Sequence, residues 1–493
     1  MRLLLLCSAL LLSPQGGAVE FYAVEDGGRV PFRIHLKDAA GKPVKGSPSN
    51  VSWNDHFVVP GGTFVELPEG EYRVEAERGP EYESESRSLS VTARSEKGCK
   101  FELKRIANLA AEGWWSGELH VHRPLADVEL LMKAEDLHVA PVITWWNSKD
   151  LWEGKEIPAE PVKRFDSDRF YHVMAGEDER EGGALLYFGL PKPLAIRGAT
   201  REYPSPTTFL LEAKKTPGVH VDIEKPFWWD VPVWLATGKI DTMGLAVNHM
   251  CRSQMYESEA WGKARPVDRL PPPRGNGYWV QELYYHVLNA GLRIAPSAGS
   301  ASGVLANPVG YNRAYVHVEG DLSYEKWMEG LRAGRSFITN GPLLRVKANG
   351  KLPGHVFTSD GPLSIELEAK LDGRDPVEAL EIIRDGRVER KVPVKEGLGR
   401  LEFKESGWFL VRCIAPNEKT FRFASTAPFY VEIGAAKRRI SKASAKFFVD
   451  WVDERIARVP LKLKDEKQLA EVLAPHRKAR EFWLDLVNRA NAD

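Results

Sequence analysis

Short apolar runs, separated by longer amphipathic stretches, recur along the middle of the chain and constrain its fold more than any other feature of the sequence. Strand-length and helix-length segments in alternation are typical of βα units repeated around a mainly parallel sheet. The sequence therefore predicts an α/β barrel domain over residues 107–345. The runs predicted to be its strands are 118–122, 140–145, 171–176, 219–223, 243–247 and 292–296.

The segments on either side of this domain carry other patterns. Residues 19–106 and 346–434 show the two-residue alternation of apolar side chains that half-buried strands have, and Asp385-Gly386 is a typical hairpin turn. Each of these two segments is predicted to be a β-sandwich. Residues 435–493 place apolar side chains on one helix face, so a C-terminal helical segment is predicted. The whole is a multidomain chain of the α/β plus β class.

The first 18 residues are typical of a secretory signal peptide. Arg2 supplies a positive charge, Leu3 to Leu12 form an apolar run, and Ala18 offers a small residue for cleavage. The run is shorter than the roughly 20 apolar residues that a membrane span needs. We therefore expect a secreted or periplasmic protein with no transmembrane segment. Cys7 lies inside the run, so a lipoprotein anchor is an alternative.

Charge and cysteine content exclude some classes of partner and site. With 68 basic and 68 acidic side chains, the formal net charge is zero, which is unlike the basic surface that nucleic acid binding requires. Beyond the leader, Cys99, Cys251 and Cys413 are an odd, scattered set without CxxC spacing. We expect them to be packing residues, and neither a disulfide framework nor a zinc ribbon.

Ionisable side chains collect where the predicted strands end. Side chains two positions apart on a strand point the same way, so His120 and His122 would aim two imidazoles at one point. Because active sites of α/β barrels form at the carboxyl ends of the strands, the later strand ends are expected to converge there. Imidazole and carboxylate ligands suit a divalent ion such as Zn, Mn or Fe. The ionisable residues at the later strand ends are Glu177, Glu179, Asp222, Glu224, Lys225 and His249.

Four segments together resemble a known family. The runs GELHVH, APVITWWN, GLRIAPSAGSASG and LRAGRSFITNGP are similar to segments of the polymerase-and-histidinol-phosphatase (PHP) superfamily, and more narrowly of its CehA/McbA-type metallohydrolases. The resemblance covers residues 108–345 and implies a distorted (β/α)7 barrel followed by a β-sandwich. It also implies that His120 and His122 are the HxH metal pair of the family, and that Glu177 is its bridging glutamate.

The chain departs from this family pattern at three places. Trp145-Trp146 stands where the family has Asp-His, Lys225 replaces the histidine before Pro226, and Ala301 and Gly303 replace the closing Asp-x-His. The resemblance therefore does not support a full trinuclear centre. A mono- or dinuclear site, or a barrel that has lost its metal, are the alternatives. The residues that a smaller site could recruit are His249, Glu179, Asp222, Glu224 and a carbamylated Lys225.

These observations lead to one predicted function and two rivals. The first is a secreted metal-dependent hydrolase that cleaves an ester, amide, phosphoester or related bond of a small molecule or glycan through a metal-activated water. The rivals are an inactive barrel that binds carbohydrate, and a structural or adhesion protein. The predicted site residues are His120, His122, Glu177 and His249 as metal ligands, Glu179, Asp222 and Lys225 as catalytic groups, and Trp146, Trp228 and Arg252 as substrate-binding groups.

Overall fold

The computed structural model describes residues 16–93, 97–435 and 437–493. Strands hold 38% of the chain and helices 21%, so β-structure dominates. The strands are β1 (Gly16–Glu25), β2 (Gly28–Val30), β3 (Phe32–Asp38), β4 (Val51–Trp53), β5 (His56–Val59), β6 (Thr63–Pro68), β7 (Gly70–Glu77), β8 (Glu85–Val91), β9 (Lys97–Glu102), β10 (Trp114–Gly117), β11 (Val139–Trp146), β12 (Lys149–Asp150), β13 (Val162–Phe165), β14 (Arg169–Arg180), β15 (Gly183–Phe188), β16 (His220–Ile223), β17 (Thr242–Ala246), β18 (Ala295–Ala298), β19 (Arg313–His317), β20 (Ser336–Thr339), β21 (Leu343–Ala348), β22 (Val356–Ser359), β23 (Leu363–Asp372), β24 (Ala379–Arg384), β25 (Arg387–Pro393), β26 (Gly399–Phe403), β27 (Gly407–Ala415), β28 (Arg422–Thr426) and β29 (Phe429–Ile433). The α-helices are α1 (Val128–Ala134), α2 (Pro206–Ala213), α3 (Val231–Ala236), α4 (Gly275–Asn289), α5 (Tyr324–Arg332), α6 (Lys442–Lys462) and α7 (Glu466–Asn488).

The N-terminal strands form two sheets around one apolar core. One sheet has the order β2-β1-β6 with β9 beside β1, and the other has the order β4-β5-β3-β7-β8. Alternate side chains of β1 are buried, as the two-residue period of a strand requires. The core takes large apolar side chains from both sheets, among them Phe21, Phe32, Ile34, Val74 and Phe101.

The predicted signal peptide falls largely outside the described residues. Strand β1 begins at Gly16, and Gly16, Gly17 and Ala18 pair with Pro68, Leu67 and Glu66 of β6. The predicted cleavage after Ala18 therefore lies within β1, and Cys7 lies outside the described residues. Among the described helices, none is both long enough and apolar enough to cross a bilayer.

The predicted (β/α)7 barrel is wrong. Strands β10 to β20 belong to a 17-stranded sheet that continues into β22, β24, β25 and β27 to β29. Residues 139–188, all of which the structure describes, hold no α-helix, and β13, β14, β15 and β16 pair antiparallel in succession. The polar stretch between the second and third predicted strands forms the short strands β12 and β13, where a barrel would need a helix. Strands in place of the expected helix, and the antiparallel pairing of neighbouring strands, are the findings that overturn the predicted barrel.

Residues 343–433 supply a further pair of packed sheets. The three-stranded sheet β21-β23-β26 shares one apolar core with strands of the large sheet. Leu344, Ile365, Ile382 and Phe409 contribute side chains to this core. Strands β24 and β25 pair through Arg384 and Arg387 around Asp385 and Gly386, both of which have positive φ. This confirms the predicted hairpin turn.

The C-terminal segment consists of the helices α6 and α7. Ser441 and Asp465 cap their N-termini by accepting the backbone N–H groups of Ser444 and Gln468. The apolar faces of the two helices, including Trp451 and Trp483, join the core of the large sheet. The free cysteines Cys99, Cys251 and Cys413 are all buried, as expected for packing residues.

Candidate metal centre

The segment that carries His120 and His122 is extended and held on both sides by backbone contacts. Val121 forms parallel bridges with Val142 of β11 and with Ser302. The His122 N–H donates to the Ser302 carbonyl at 2.8 Å, and the His120 carbonyl accepts the Ala301 N–H at 2.8 Å. Because Val121 is buried in the core, the two histidines lie together on the opposite side.

Three potential ligand groups meet at this point. His120, His122 and Glu177 each offer a ligand atom, and these atoms all lie within 4.8 Å of one another. The two imidazole Nε2 atoms are 3.0 Å apart. Glu177 places Oε2 at 3.0 Å from His122 Nε2 and Oε1 at 3.5 Å from His120 Nε2. The geometry thus brings together the two histidines and the glutamate that the sequence predicted as metal ligands.

Glu224 orients the His120 ring from behind. Its Oε1 lies 3.2 Å from His120 Nδ1, and the same carboxylate accepts hydrogen bonds from Asn248 Nδ2 at 2.7 Å and Trp228 Nε1 at 3.2 Å. A proton on Nδ1 that faces this carboxylate leaves the Nε2 lone pair of His120 directed at His122 and Glu177. A carboxylate behind a metal-binding histidine is a common way to set its tautomer.

The carboxylates of Glu177 and Glu224 favour a positive charge at the two histidine rings. Burial alone would lower the pKa of His120, but the carboxylates of Glu177 and Glu224 outweigh it and raise the pKa to about 10. Burial would raise the pKa of Glu177, yet His120 and His122 hold it well below its usual range. A divalent ion between the three groups would replace that proton and would bring one further positive charge to the two carboxylates.

Two glycines allow the loop after β18 to lie directly against the histidines. A Cβ at Gly299 would stand 2.5 Å from His120 Cβ. A Cβ at Gly303 would stand 2.5 Å from the His122 carbonyl oxygen, and Gly303 has a φ of 102°. The loop that lacks the Asp-x-His of the resembled family therefore acts as a close backbone wall for the histidine pair.

Three other predicted site residues surround the cluster. The Lys225 ammonium contacts Glu224 and lies 4.6 Å from the centre of the Trp228 ring. Burial raises the pKa of Glu179 to about 7, and the neighbouring carboxylates of Glu177 and Glu224 add to the shift. His249 stands outside the three-group cluster that the described residues form; its buried Nδ1 has no hydrogen-bond partner in the described part of the chain.

Asp222 lies in a buried hydrogen-bond chain. Its Oδ1 accepts from Thr242 Oγ1 at 2.6 Å and from Ser297 Oγ at 2.5 Å, and Thr242 Oγ1 lies 2.7 Å from His220 Nε2. Burial raises the pKa of Asp222 to about 7. These bonds tie β16 to β17 and β18, and the catalytic role predicted for Asp222 stays a prediction.

The buried His220 ring predicts a pH effect on stability. Burial lowers the pKa of His220 to about 3 from the ordinary 6.5. The contribution of the neutral His220 ring to the free energy of unfolding is therefore fully present above pH 6.5 and is lost as the pH falls toward 3. Between pH 6.5 and 5 we expect the wild type to lose about 2 kcal/mol more unfolding free energy than His220→Gln. Urea unfolding at both pH values measures this difference, and equal losses in the two proteins would contradict it.

The predicted substrate-binding residues occupy three different environments. Trp146 is partly exposed and meets His122 edge to face, with ring centres 5.4 Å apart, so it lines an approach to the cluster. Trp228 is 1% exposed and uses its indole N–H on Glu224, so it supports the site and offers no face to a substrate. Arg252 is partly buried, and its backbone N–H donates to Asn307.

The sequence does not predict the roles of two residues of the site. It offers Glu224 as a possible ligand, whereas the structure places this carboxylate beside His120 Nδ1. Glu118 is fully buried and accepts the backbone N–H groups of Ser300 and Gly310, both at 2.6 Å, which fixes the glycine loop. A charged residue inside an apolar run was the only available signal for Glu118, since its partners lie some 180 residues further along the chain.

Comparisons with known proteins give no family for this chain. No protein-family profile and no curated protein matches it. Among solved structures, the Bacillus anthracis TIE protein matches 23% of this chain with 17% identity and a TM-score of 0.16, and the chain spans 20% of that protein. The structure of the N-terminal four Ig domains of Dscam1 isoform 8.4 aligns with 85% of this chain, and the alignment covers 95% of the Dscam1 chain. The sequence identity is 9% and the TM-score is 0.12. At such scores neither likeness carries an argument about fold or function.

Proposed function

We propose that the protein is a metal-dependent hydrolase whose ion is held by His120, His122 and Glu177. The observation that carries the proposal is the meeting of these three groups within 4.8 Å, with His120 and Glu177 buried and His122 partly buried, and with the Glu224 carboxylate beside Nδ1 of His120. Two imidazoles and one glutamate are also the ligand set of several catalytic zinc sites, which keep a further position open.

A divalent ion bound there would lower the pKa of a water molecule and so supply a hydroxide nucleophile near neutral pH. The protein groups have separate tasks. Glu224 holds the His120 ring, and Asn248 and Trp228 hold Glu224 through hydrogen bonds. Glu179, which lies two residues after Glu177 on β14, would take up or donate a proton during hydrolysis.

The substrate proposed is an ester or phosphoester of a small molecule or glycan. Trp146 is the observation that favours a flat group, because its partly exposed ring stands beside His122. Aromatic side chains add apolar contact area to a binding site at low entropic cost. Export from the cytoplasm stays part of the proposal and rests on the leader-like residues 1–18 alone.

Turnover by protein of defined metal content tests this function. The purified full chain is stripped with a chelator, reloaded with zinc or manganese, and assayed on p-nitrophenyl acetate, p-nitrophenyl phosphate and bis-p-nitrophenyl phosphate. We expect hydrolysis of at least one ester that disappears on stripping and returns on reloading. Absence of turnover in the metal-loaded protein, or turnover indifferent to the chelator, would count against a metallohydrolase.

Glu224→Gln is expected to weaken zinc binding about 10–100-fold, the usual cost of losing a carboxylate behind a ligand histidine. Glutamine keeps the size of the side chain and removes the charge that orients His120 Nδ1. Competition against a chromogenic chelator measures the affinity. Glu282→Gln, which changes a partly exposed residue paired with Arg269, is the matched control and should bind zinc as the wild type does. An unchanged affinity in Glu224→Gln would remove this role.

A further inference from the structure

The N-terminal unit, which carries strands β1 to β9, contains a second group of side chains suited to a metal. His35 on β3, Asp55 between β4 and β5, and His56 on β5 offer ligand atoms that all lie within 4.8 Å of one another. His35 is 2% exposed and His56 is 5% exposed, whereas the Asp55 side chain keeps 22% exposure. The two imidazoles are thus withdrawn from water while the carboxylate reaches the surface, which leaves an ion a route of entry.

Strand pairing brings these residues together. β3 and β5 are antiparallel neighbours, with Ile34 opposite Phe57, so His35 and His56 are adjacent across the strands. Their ring centres lie 5.3 Å apart. Asp55 belongs to the two-residue turn of the β4–β5 hairpin, in which Trp53 pairs with His56. Rigid strands and a tight turn hold the three groups in place before any ligand binds.

The distances match the edges of a small coordination polyhedron. Asp55 directs its two oxygens at different rings, with Oδ2 3.2 Å from His35 Nδ1 and Oδ1 3.2 Å from His56 Nδ1. Ligands of a tetrahedral zinc ion with bonds of about 2.0–2.2 Å lie roughly 3.3–3.6 Å apart. Small side-chain rotations would therefore place all three donors around one ion.

The surroundings of His35 give a second, independent indication. Its other nitrogen, Nε2, lies 3.6 Å from Glu77 Oε2, so this ring stands between Asp55 on one side and a carboxylate on the other. Metal-binding histidines almost always direct their second nitrogen at such a group. The same arrangement occurs at His120, which stands between the cluster and Glu224. The buried cation beside the cluster, Arg33, is paired with the carboxylates of Glu77 and Glu135.

We propose that His35, Asp55 and His56 bind a second divalent ion, of the zinc class, that stabilises the N-terminal unit. Three protein ligands, two on strands and one in the hairpin turn, would leave the remaining position to water. The ion would link β3 to the β4–β5 hairpin and add its binding free energy to folding of this unit. This site is separate from the proposed catalytic one and does not depend on it.

Metal counting in the full chain tests the proposal. The wild type, two double variants and one single-variant control are each stripped, reloaded with excess zinc, desalted and analysed for zinc and protein. We expect two ions per chain in the wild type, and one ion in His35→Ala plus His56→Ala. His120→Ala plus His122→Ala should also keep one ion, and the control His355→Ala should keep both.

The outcomes separate the two sites. A wild type that holds a single ion, lost only in the His120 and His122 variant, overturns the second site and leaves the proposed function intact. A single ion lost only in the His35 and His56 variant supports the second site and removes the proposed function. If the alanine variant does not fold, Asp55→Asn takes its place, because it removes one ligand charge with little change of volume. Retention of two tightly bound ions by Asp55→Asn would also overturn the second site.

Discussion

Replacing Arg455 with methionine is expected to lower the free energy of unfolding by about 3–5 kcal/mol, because two buried carboxylates would lose their cation. Arg455 of α6 donates to Asp230 Oδ1 at 2.7 Å and to the two oxygens of Glu202 at 3.0 and 2.6 Å. All three side chains are at most 4% exposed. His476 of α7 lies 3.2 Å from Asp230 but cannot serve Glu202 in place of the guanidinium.

The sign of the pH dependence offers a second check on Arg455. Burial would raise the pKa of Asp230, but Arg455 and His476 hold it below its usual range. Stability from this carboxylate is present above its unfolded pKa, near 4, and is lost as the pH falls through the lower folded value. The difference between wild type and variant should therefore persist from pH 7 to 5 and shrink in acid.

Urea unfolding followed by circular dichroism measures the Arg455 effect. Lys446→Met is the matched control, because Lys446 lies on the same helix and forms an exposed pair with Asp450 at 2.7 Å. Exposed pairs of this kind contribute little to stability, so the control should unfold close to the wild type. A loss below about 1 kcal/mol in Arg455→Met would show that the buried network is not what fastens the C-terminal helices.

Replacing both His120 and His122 with alanine is expected to reduce metal-dependent turnover by at least about 1000-fold. The two changes remove two of the three ligands, and the several kcal/mol that a metal contributes to hydrolysis corresponds to at least that factor. The same variant should lose the part of the zinc-induced rise in Tm that comes from this site. His355→Ala, in the C-terminal sheets, is the control for loss of an imidazole elsewhere.

Two results would contradict this expectation. Turnover within tenfold of the wild type would place the reaction elsewhere. Equal loss of turnover in His355→Ala would point to a general effect on folding. Circular dichroism of each variant, recorded before the assay, shows whether the proteins compared are equally folded.

Local periodicity explains what the sequence could predict at the site. The two-residue repeat of a strand was enough to place His120 and His122 on one side, because Leu119 and Val121, which flank His120, are apolar. The predicted strand ends offered Glu177 together with several other ionisable residues, and only the family resemblance singled it out as a metal ligand. The contact between Glu224 and His120 Nδ1 could not be derived, because it depends on how β16 lies relative to a segment about 100 residues earlier.

The fold prediction failed where the pattern was least periodic. The barrel required a helix between β11 and β14, but that stretch is polar and forms β12 and β13. Continuous apolar runs do not reveal whether neighbouring strands are parallel or antiparallel, and so the antiparallel pairing of β14, β15 and β16 was not foreseen.

The second cluster was missed for a related reason. His35 and His56 are 21 positions apart and come together only through the register of β3 and β5. The spacing of His35 and His56 along the chain does not determine that register. His120 and His122, in contrast, are two positions apart, and this spacing alone places them on the same side of one extended segment. Long-range pairing therefore limits what sequence reading can find even for strongly polar residues.

A crystal of the zinc-loaded full chain, with diffraction recorded on both sides of the zinc absorption edge, tests the central claim most directly. We expect an anomalous peak at about 2.0–2.2 Å from His120 Nε2, from His122 Nε2 and from a carboxylate oxygen of Glu177. Ordered density for these three side chains at saturating zinc, without such a peak between them, would contradict the proposed metal centre.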